Sequence, residues 1–454
     1  MSLQNLISQR IDNNRPVKVA LIGAGKFGSM FLSQVPTTPG LEVVIIADLI
    51  PDNAKKACKN VGWIDDLISN TEFVDSGIKA ITKPEVEVVV EATGNPSDGI
   101  LHAREAFRKG KHIVMVNVEA DVLAGASLSK EAKSAGVVYS MAYGDQPALT
   151  AEIVDWARSS GFYVTAAGKG TKYLPEYHKS TPETVWNYYG LSEKDAIEAG
   201  MNPKMFNSFL DGTKSSLEMA AIANACNLEV PSNGLLFPPC GMDDLAEVLK
   251  PKNNGGVLEH DGQVEVVSSL DRDGKDIFKD LRWGVYAVLK APNDYAASCF
   301  KQYGMNTDST GQFSAMYKPF HLIGMELNIS IFSAALLNQS TGQTQNFLGD
   351  VVATSKRSLK KGEILDGEGG ATVWGKLIPA KDSLLNETLP IGLAHGIKLN
   401  KDIKEDQFIT WKDVDYSPDD PTVSYRRSME KNFRSLLDYL VLYLISKQNL
   451  MFLL

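Results

Sequence analysis

The stretch VKVALIGAGKFG, residues 17–28, decides the fold of the first part of the chain. Its first six residues form an almost continuous apolar run, which is typical of a buried parallel strand. Three glycines follow in the spacing GxGxxG. In dinucleotide-binding sheets the first permits a tight turn, the second lets a pyrophosphate approach the backbone, and the third lets the next helix pack on the strand. The N-terminus of that helix offers free N–H groups to an anion. The predicted dinucleotide-binding residues here are Gly23, Gly25, Lys26, Phe27 and Gly28.

Asp48 lies twenty residues beyond Gly28, at the end of the next apolar run LEVVIIA, residues 41–47. A carboxylate at this place binds the adenosine ribose hydroxyls and repels a 2′-phosphate, which favours NAD. Two lysines, Lys55 and Lys56, lie close by in sequence, so the choice between NAD and NADP stays open. The alternatives are that Asp48 only caps the helix predicted over Pro51–Asn60, and that the glycine turn binds nothing.

Further apolar runs continue the series. They lie at Val86–Ala92, His112–Val116 and Val137–Tyr139, with helices predicted over 97–109 and 126–134 between them. Alternating strands and helices predict an α/β fold with a doubly wound parallel sheet. Ligands bind at the carboxyl ends of the strands of such sheets. The residues predicted to line the nicotinamide side are Thr93, Gly94, Asn95 and Asn117.

The remaining chain changes character twice. Residues 146–348 mix helical periodicity, at 147–160, 203–225 and 323–337, with strand signals at 161–167, 264–269 and 283–290, which predicts an α+β domain. Short strand signals broken by glycines then predict a small β-rich module. The predicted domains are a Rossmann domain over 1–145, an α+β substrate and dimerisation domain over 146–348, the β-rich module over 349–416, and an extension with an apolar tail over 417–454.

Composition excludes several classes of protein. The chain has 454 residues, 44% of them hydrophobic and 22% charged, and a net charge of −9. These values exclude wholesale disorder and a fibrous or polytopic membrane protein, and the absence of a basic face argues against nucleic-acid binding. No secretory signal is recognisable, and the longest uncharged run of the tail, Tyr439–Ser446, is too short for a bilayer. We therefore expect a cytoplasmic protein.

Five segments resemble the homoserine dehydrogenase superfamily: the Rossmann half, the loop EATG over 91–94, and three segments beyond it. The segment Gly144–Gly161 resembles the helix that enters that family's catalytic domain, and Lys169–Tyr173 resembles its substrate-binding turn. Leu210–Gly212 resembles the start of its catalytic helix. The resemblance implies an NAD(P)-dependent oxidoreductase.

Residues 349–414 resemble a SAF domain, which is a small β-clip fold. With this module, the chain resembles the homoserine dehydrogenase-like oxidoreductases that carry a SAF domain. These include the 1-deoxy-D-xylulose 5-phosphate reductoisomerase-like enzymes and the apionate oxidoisomerases. The resemblance implies oxidation or oxidoisomerisation of a small hydroxy or keto polyol acid or sugar phosphate, and we expect a homo-oligomer.

The chain departs from homoserine dehydrogenases at three charged positions. The family carries a lysine after the fifth strand, where this chain has Glu119. It carries an aspartate and a lysine on the catalytic helix, where this chain has Lys214 and Glu218. Homoserine is therefore disfavoured as a substrate, although residues four apart still share one helix face.

A group of lysines near these positions predicts an electropositive pocket that suits an anionic substrate. A lysine serves as an acid or base only where burial or a neighbouring cation lowers its pKa towards 7. The alternatives are solvated surface lysines and a structural histidine. The predicted catalytic and substrate-binding residues are Lys169, Lys172, Lys204, Lys214, Glu218 and His321.

No metal-binding motif such as HExxH occurs, so a dedicated metal site is not expected. A Mg²⁺ or Mn²⁺ ion shared with substrate oxygens is compatible with Glu176, Asp211 or Glu218. Two alternative functions stay open. One is a homoserine dehydrogenase, and the other is a non-catalytic dinucleotide sensor in which the SAF module binds a ligand.

Overall fold

The computed structural model describes residues 3–435. Its first sheet has six strands in the order β3-β2-β1-β4-β5-β6, and every neighbouring pair is parallel. This is the strand order of the doubly wound dinucleotide-binding fold. The elements are α1 (Leu3–Asp12), β1 (Val17–Ile22), α2 (Lys26–Gln34), β2 (Leu41–Ala47), α3 (Pro51–Asn60), α4 (Asp65–Ser69), β3 (Glu72–Val74), α5 (Gly77–Thr82), β4 (Val88–Glu91), α6 (Pro96–Arg108), β5 (His112–Met115), α7 (Val118–Ala135) and β6 (Tyr139–Met141).

The two faces of this sheet belong to two different cores, as a doubly wound sheet requires. Along β1, Val19 and Leu21 point into one cluster, and Ala20 and Ile22 point into the other. Because both faces are covered by helices, the strands are apolar throughout, which is why their sequences predict them so well. The predicted Rossmann fold is confirmed.

Two boundaries in this sheet differ from the prediction. The helix predicted over 126–134 begins at Val118, because the Asn117 side chain caps it by accepting a hydrogen bond from the Ala120 amide at 3.0 Å. The strand predicted over 137–139 runs over Tyr139–Met141 instead. The start of α7 and the end of β6 therefore lie nearer to the ligand-binding edge than the sequence indicates.

The second sheet has four strands in the order β10-β9-β7-β8, in which only β7 and β8 are parallel. Helices surround it, so the α+β character predicted for this region is confirmed. The elements are α8 (Gln146–Ser159), β7 (Tyr163–Thr171), α9 (Val185–Tyr189), α10 (Glu193–Glu198), α11 (Pro203–Leu210), α12 (Thr213–Cys226), α13 (Leu245–Val248), β8 (Gln263–Ser268), β9 (Val285–Lys290), α14 (Asp294–Gln302), β10 (Phe313–Lys318) and α15 (Asn328–Phe332).

Two helical predictions in this region are corrected. The stretch 203–225 forms two helices, because Gly212 adopts a left-handed conformation with φ of 89° and breaks the chain direction between α11 and α12. The helix predicted from Ile323 begins only at Asn328 and ends in a π-helical turn, Ser333–Leu337. Residues 319–327 form a loop instead, and its Gly324 packs against α2.

The C-terminal module contains two small antiparallel sheets, β11-β13 and β12-β14-β15. The β-rich character predicted for this module is confirmed, while the four domain boundaries stay a prediction. A final helix, α17, covers residues 421–435 of the described chain, and the apolar tail from residue 436 onward lies outside the described residues. The elements are β11 (Gly349–Ser355), β12 (Ile364–Asp366), β13 (Val373–Pro379), α16 (Ala380–Asn386), β14 (His395–Leu399) and β15 (Val414–Asp415).

Helix α12 lies at the centre of the molecule and is buried nearly all round. It packs against α7 of the first domain, α8 and β8 of the second, and β11 and β13 of the module. Both of its ends are tied to the module. The Thr213 hydroxyl accepts a hydrogen bond from the Gly375 amide at 2.8 Å, and Asn224 bonds the Gly349 amide and carbonyl.

The α17 helix is anchored by one buried cation. Arg426 is fully buried. Its guanidinium donates to Asp350 of β11 at 2.5 Å, to Glu430 at 2.9 Å and to the Leu123 carbonyl of α7 at 3.0 Å. Across residues 3–435, no helix combines the length and the apolar character needed to cross a bilayer.

We expect Arg426→Leu to lower the free energy of unfolding by about 3–5 kcal/mol, because it leaves the buried Asp350 carboxylate without its cation, while Glu430 keeps its pair with Arg427. Lys412→Met is the control, since it removes an exposed ion pair with Glu387, for which about 0–1 kcal/mol is expected. Denaturant titrations of the two variants are the measurement. Equal effects would contradict the proposed anchoring role of Arg426.

Candidate active site

The glycine motif forms a turn with an open space above it. Gly23 has φ of 95°, and a Cβ there would lie 2.6 Å from the Ala92 carbonyl oxygen. A Cβ on Gly28 would lie 2.4 Å from the Gly23 oxygen, whereas a Cβ on Gly25 would meet no atom within 4 Å. The first and third glycines are therefore required by packing. The second leaves room at the N-terminus of α2, where Gly25 and Lys26 are exposed and Phe27 is partly buried, and this is where a pyrophosphate fits.

Asp48 follows β2 and faces the same turn. Its carboxylate accepts hydrogen bonds from the Ala24 amide at 3.0 Å and from the Ile50 amide at 3.1 Å. Helix α3 has Ile50 as its N-cap and no side-chain cap. Asp48 therefore does not cap this helix: it holds the glycine turn to the end of β2, where the ribose of a dinucleotide binds.

The carboxyl ends of β4 and β5 carry a connected set of polar side chains. Buried Glu91 accepts a hydrogen bond from the Thr93 hydroxyl at 2.5 Å, and that hydroxyl accepts one from the Asn95 amide at 3.3 Å. Asn117 donates to the Asn95 carbonyl at 2.7 Å. Gly94 lies between them with φ of 71°. The predicted nicotinamide-side residues are thus held together as one unit at the ligand-binding edge.

Beside this edge lie two lysine–carboxylate pairs. Lys214 on α12 contacts Glu119 on α7 at 2.6 Å, and Lys169 on β7 forms an ion pair with Glu218 on α12. The two predicted helix residues therefore point to the same region but have different partners. We call these four residues the charged cluster.

Asp145, at the start of α8, adjoins the charged cluster. Burial, helped by the charge of Glu218, raises the pKa of its carboxyl to about 6 against the opposing effects of Lys214 and His321. His321 itself lies on the 319–327 loop, and its Nδ1 contacts the Trp283 carbonyl at 2.7 Å. Because the positive charge of a protonated His321 opposes the raised pKa of Asp145, this predicted site residue lies near the charged cluster.

A cavity of about 600 Å³ joins the nicotinamide-side loop to the C-terminal module. Thr93, Gly94 and Asn95 line one side, and Glu119 of the charged cluster lines it as well. Lys204 also lines the cavity and donates to the Asp366 carbonyl at 3.0 Å. The module contributes acidic and basic side chains, namely Asp366, Glu368, His395 and Asp415.

Lys172 lies elsewhere. Its ammonium donates to the Tyr188 carbonyl at 2.6 Å and lies over the ring of Tyr189, both on α9. Burial and the nearby Arg282 lower its pKa. Of the six predicted catalytic and substrate-binding residues, four belong to the charged cluster or line the cavity, namely Lys169, Lys204, Lys214 and Glu218. His321 lies near the cluster, and Lys172 lies away from both.

The charge of the site also differs from the prediction. An electropositive pocket was expected, but Lys169 and Lys214 each have a carboxylate partner and the cavity lining is rich in acids. For Lys214, burial lowers the pKa, but Glu119, Glu368, Glu218 and Asp145 outweigh burial, so that the net pKa is raised. Lys214 therefore stays protonated near neutral pH, and the lowered pKa that a lysine acid or base needs is absent.

Two acids of the site were not predicted. Asp145 lies in the segment Gly144–Gly161. Its place directly before a helix indicates a helix cap and does not indicate a site residue. Glu368 lies in a glycine-rich turn far along the chain, where no local pattern marks it. Glu119 was noted only as a departure from the family pattern. All three reach the cluster through tertiary contacts.

Nothing in the described residues supports a shared metal ion. Asp211 is bound by Lys356 at 2.8 Å, and Glu218 by Lys169, while Glu176 is exposed. Within residues 3–435, no group of three or more His, Cys, Asp or Glu side chains is arranged to hold an ion.

Two family models match consecutive parts of this chain. Residues 17–143 match the model described as oxidoreductase family, NAD-binding Rossmann fold, and residues 144–327 match the catalytic domain of oxidoreductase DRL. Both matched regions are oxidoreductase domains. The predicted enzyme class and the NAD(P) cofactor of this oxidoreductase are confirmed, whereas the homoserine dehydrogenase, SAF and reductoisomerase resemblances stay predictions.

Solved structures resemble the oxidoreductase only weakly. A 3-ketoreductase from Actinomadura kijaniata, solved with TDP-benzene and NADP, is 16% identical over 36% of this chain and 49% of its own, with a TM-score of 0.26. Myo-inositol dehydrogenase from Lactobacillus casei, solved with NAD(H) and myo-inositol, is 16% identical over 37% and 50%, with a TM-score of 0.28. The chain thus spans about half the length of these two structures. No curated protein matches the chain.

We expect Gly25→Val to abolish dinucleotide binding while costing only about 1 kcal/mol of stability, the scale of a weakened N-cap. The new side chain fills the space above the turn and meets no protein atom. Gly28→Ala is the matched control and should lower the thermal midpoint strongly, because its Cβ meets backbone at 2.4 Å. NAD(P)H fluorescence titration measures binding, and unchanged affinity in Gly25→Val would contradict the site.

Removing the charge of Asp48 should move cofactor preference towards NADP. We expect Asp48→Asn to change the ratio of the Kd values for NADPH and NADH about tenfold, or about 1.4 kcal/mol, because the 2′-phosphate is no longer repelled. Asp52→Asn is the control, since Asp52 is exposed on α3 and contacts only Lys55. Fluorescence titration with each cofactor gives the ratio, and an unmoved ratio would reduce Asp48 to a structural role.

Proposed function

We propose that this oxidoreductase transfers a hydride between NAD(P) and a small hydroxy or keto polyol acid or sugar phosphate. The observation that carries the proposal is the 600 Å³ cavity, in which the nicotinamide-side residues Thr93–Asn95 face Glu119 and Lys204. A cavity of this size holds a small polar substrate. Its position at the carboxyl edge of the first sheet is where ligands of such sheets bind.

The residues of the site have separable roles in this proposal. Bound nicotinamide supplies or accepts the hydride. Lys214 keeps its positive charge and is paired with Glu119, which lines the cavity. From this position beside the cavity, its charge stabilises the negative charge that develops on the substrate oxygen. The carboxylates of Glu119 and Glu218 keep the two lysines in place, and Glu119, which lines the cavity, accepts hydrogen bonds from substrate hydroxyls. Paired donors and acceptors of this kind suit a hydroxyl-rich molecule.

The anionic group of the substrate is assigned to Lys204. Its ammonium has a backbone carbonyl as its hydrogen-bond acceptor, so its charge is less compensated than those of Lys169 and Lys214. His395 lies in the same cavity and contacts the Asp366 carbonyl at 3.0 Å. The acidic lining of the cavity disfavours a substrate with several negative charges, which supports a polyol acid or a monophosphate.

We further propose that the β-rich module over 349–416 is SAF-like. The reaction is proposed to be related to that of the reductoisomerase-like and oxidoisomerase group. Homoserine stays disfavoured, because position 119 is acidic and its carboxylate is bound by Lys214.

A homo-oligomer is proposed through the α+β domain. The support is a set of large apolar side chains left exposed around β10, namely Trp283, Met316, Tyr317, Phe320 and Leu322. Apolar surface of this kind marks contact sites in soluble proteins. Light scattering after gel filtration tests it, and a monomer at micromolar concentration would contradict it.

The substrate proposal is tested with absorbance of the reduced nicotinamide at neutral pH. The panel contains aldonic acids, ketose phosphates, inositols and homoserine, each with NAD(H) and NADP(H). Turnover with a polyol acid or sugar phosphate is the expected result. Tight cofactor binding with no turnover on any compound would favour the non-catalytic sensor instead.

Replacing Lys214 tests its role at the developing charge. We expect Lys214→Met to lower kcat roughly 10²- to 10³-fold, the range for a lost electrostatic stabiliser, with cofactor affinity preserved because the glycine turn is untouched. Lys279→Met, which breaks an exposed pair with Asp243 and a contact with the Phe278 ring, is the control. A Lys214→Met enzyme with near-normal kcat would remove Lys214 from the mechanism.

A further inference from the structure

Glu368 belongs to a turn that the C-terminal module extends towards the other two domains. The turn joins β12 to β13 and is organised by Asp366, whose carboxylate accepts hydrogen bonds from the Ala371 amide at 2.6 Å and the Thr372 amide at 3.0 Å. Gly367 and Gly369 flank Glu368 with φ of 74° and 65°. A Cβ on Gly369 would lie 2.0 Å from the Lys204 carbonyl oxygen, so the turn is seated directly on α11.

This seating brings the Glu368 carboxyl to the cavity. The residue is partly buried and lines the same cavity as Thr93–Asn95 and Glu119. One carboxyl oxygen accepts a hydrogen bond from the Ser208 hydroxyl of α11 at 2.5 Å. The side chain is therefore fixed on one side and accessible from the cavity on the other.

We propose that Glu368 is a catalytic residue, and that the C-terminal module completes the active site by supplying the group that exchanges a proton with the substrate hydroxyl. The inference rests on the function proposed above. It gives the module a chemical role within the reaction, in place of a separate ligand-binding role.

The step balances without any further reactant. In oxidation, the carbinol C–H bond breaks and its electron pair leaves as hydride to the nicotinamide ring of NAD(P)⁺. The hydroxyl O–H bond breaks, its proton goes to the Glu368 carboxylate, and a C=O bond forms. In reduction, the protonated Glu368 returns the proton to the oxygen as hydride adds to the carbonyl carbon.

The electrostatic surroundings of Glu368 suit this exchange. Burial, helped by the charges of Glu119 and Asp211, raises the pKa of its carboxyl to about 7 against the opposing effects of Lys214 and the Ser208 hydrogen bond. Lys204 and Asp366 line the cavity beside it. A proton-exchanging group works best with a pKa near the working pH. Lys214, whose pKa is raised, cannot release a proton as readily.

Asp145 is the nearest alternative. Its carboxyl lies beside Glu218 and Lys214, but it is buried at the start of α8 and accepts a hydrogen bond from the Gln146 amide at 2.8 Å. It does not line the cavity. Of the two acids with a raised pKa at the site, Glu368 alone lines the space that the substrate is proposed to occupy.

The test uses Glu368→Gln in the full chain with the polyol acid or sugar phosphate that the wild type turns over. Glutamine keeps an oxygen to accept the Ser208 hydrogen bond, so the turn should stay in place. We expect kcat to fall roughly 10²- to 10⁴-fold while the Kd for NADPH changes less than twofold. The control is Glu363→Gln, a carboxylate of the same module that is paired with Arg357 outside the cavity.

The pH dependence gives a readout that a structural role would not produce. Oxidation needs the carboxylate form, so in the wild type its rate should rise as the pH passes through about 7 and level off above it, and the rate of reduction should fall over the same range. The rates of Glu368→Gln should lose this dependence on pH, and Glu368→Asp should recover part of kcat.

Infrared difference spectra add a measurement that needs no substrate. In the wild type, a carboxylic acid C=O band should disappear as pH is raised from 6 to 8 through the pKa of about 7, and the band should be missing in Glu368→Gln. If the wild type turns over no compound of the panel, the proposed function fails, and this inference with it. If the wild type is active and Glu368→Gln retains kcat within twofold, or keeps the same dependence of the rate on pH, the inference alone is overturned.

Discussion

The burial of helix α12 on all sides is the constraint on which the site depends. A helix inside a protein is expected to be apolar all round, yet α12 carries Lys214 and Glu218 on one face. A buried charge is tolerated only where an opposite charge and hydrogen bonds compensate it. The partners must come from the elements packed on α12, and they do: Glu119 from α7 and Lys169 from β7.

This requirement explains why the site lies at the junction of all three parts of the chain. The first domain supplies Glu119 and the nicotinamide-side loop, the second supplies the two lysines and Glu218, and the C-terminal module supplies Glu368. The module is held to α12 through Thr213 and Asn224. The site is therefore complete only when the module is packed on α12, and loosening the module would change the electrostatics around Lys214.

How well the sequence predicts a feature depends on how far apart in the chain the interacting residues lie. The strands β1 and β2 match their predicted bounds because both faces are buried and the apolar runs are continuous. Helical periodicity continues on both sides of Gly212 and therefore does not show the break, although the family resemblance places the start of a helix at Leu210–Gly212. Lys214 and Glu218 were found through the resemblance to a family. Their partners and Glu368 lie about 50 to 150 residues away, and no local pattern encodes which lysine meets which carboxylate.

The four side chains of the charged cluster compensate one another as a set. Lys214 of α12 neutralises Glu119 of α7, and Lys169 of β7 neutralises Glu218 of α12. Reversing or removing one of the four charges would leave its buried partner unpaired, so each of the four positions constrains its partner. Lys214 thereby keeps its positive charge at the N-terminal end of α12, beside the cavity that the C-terminal module closes.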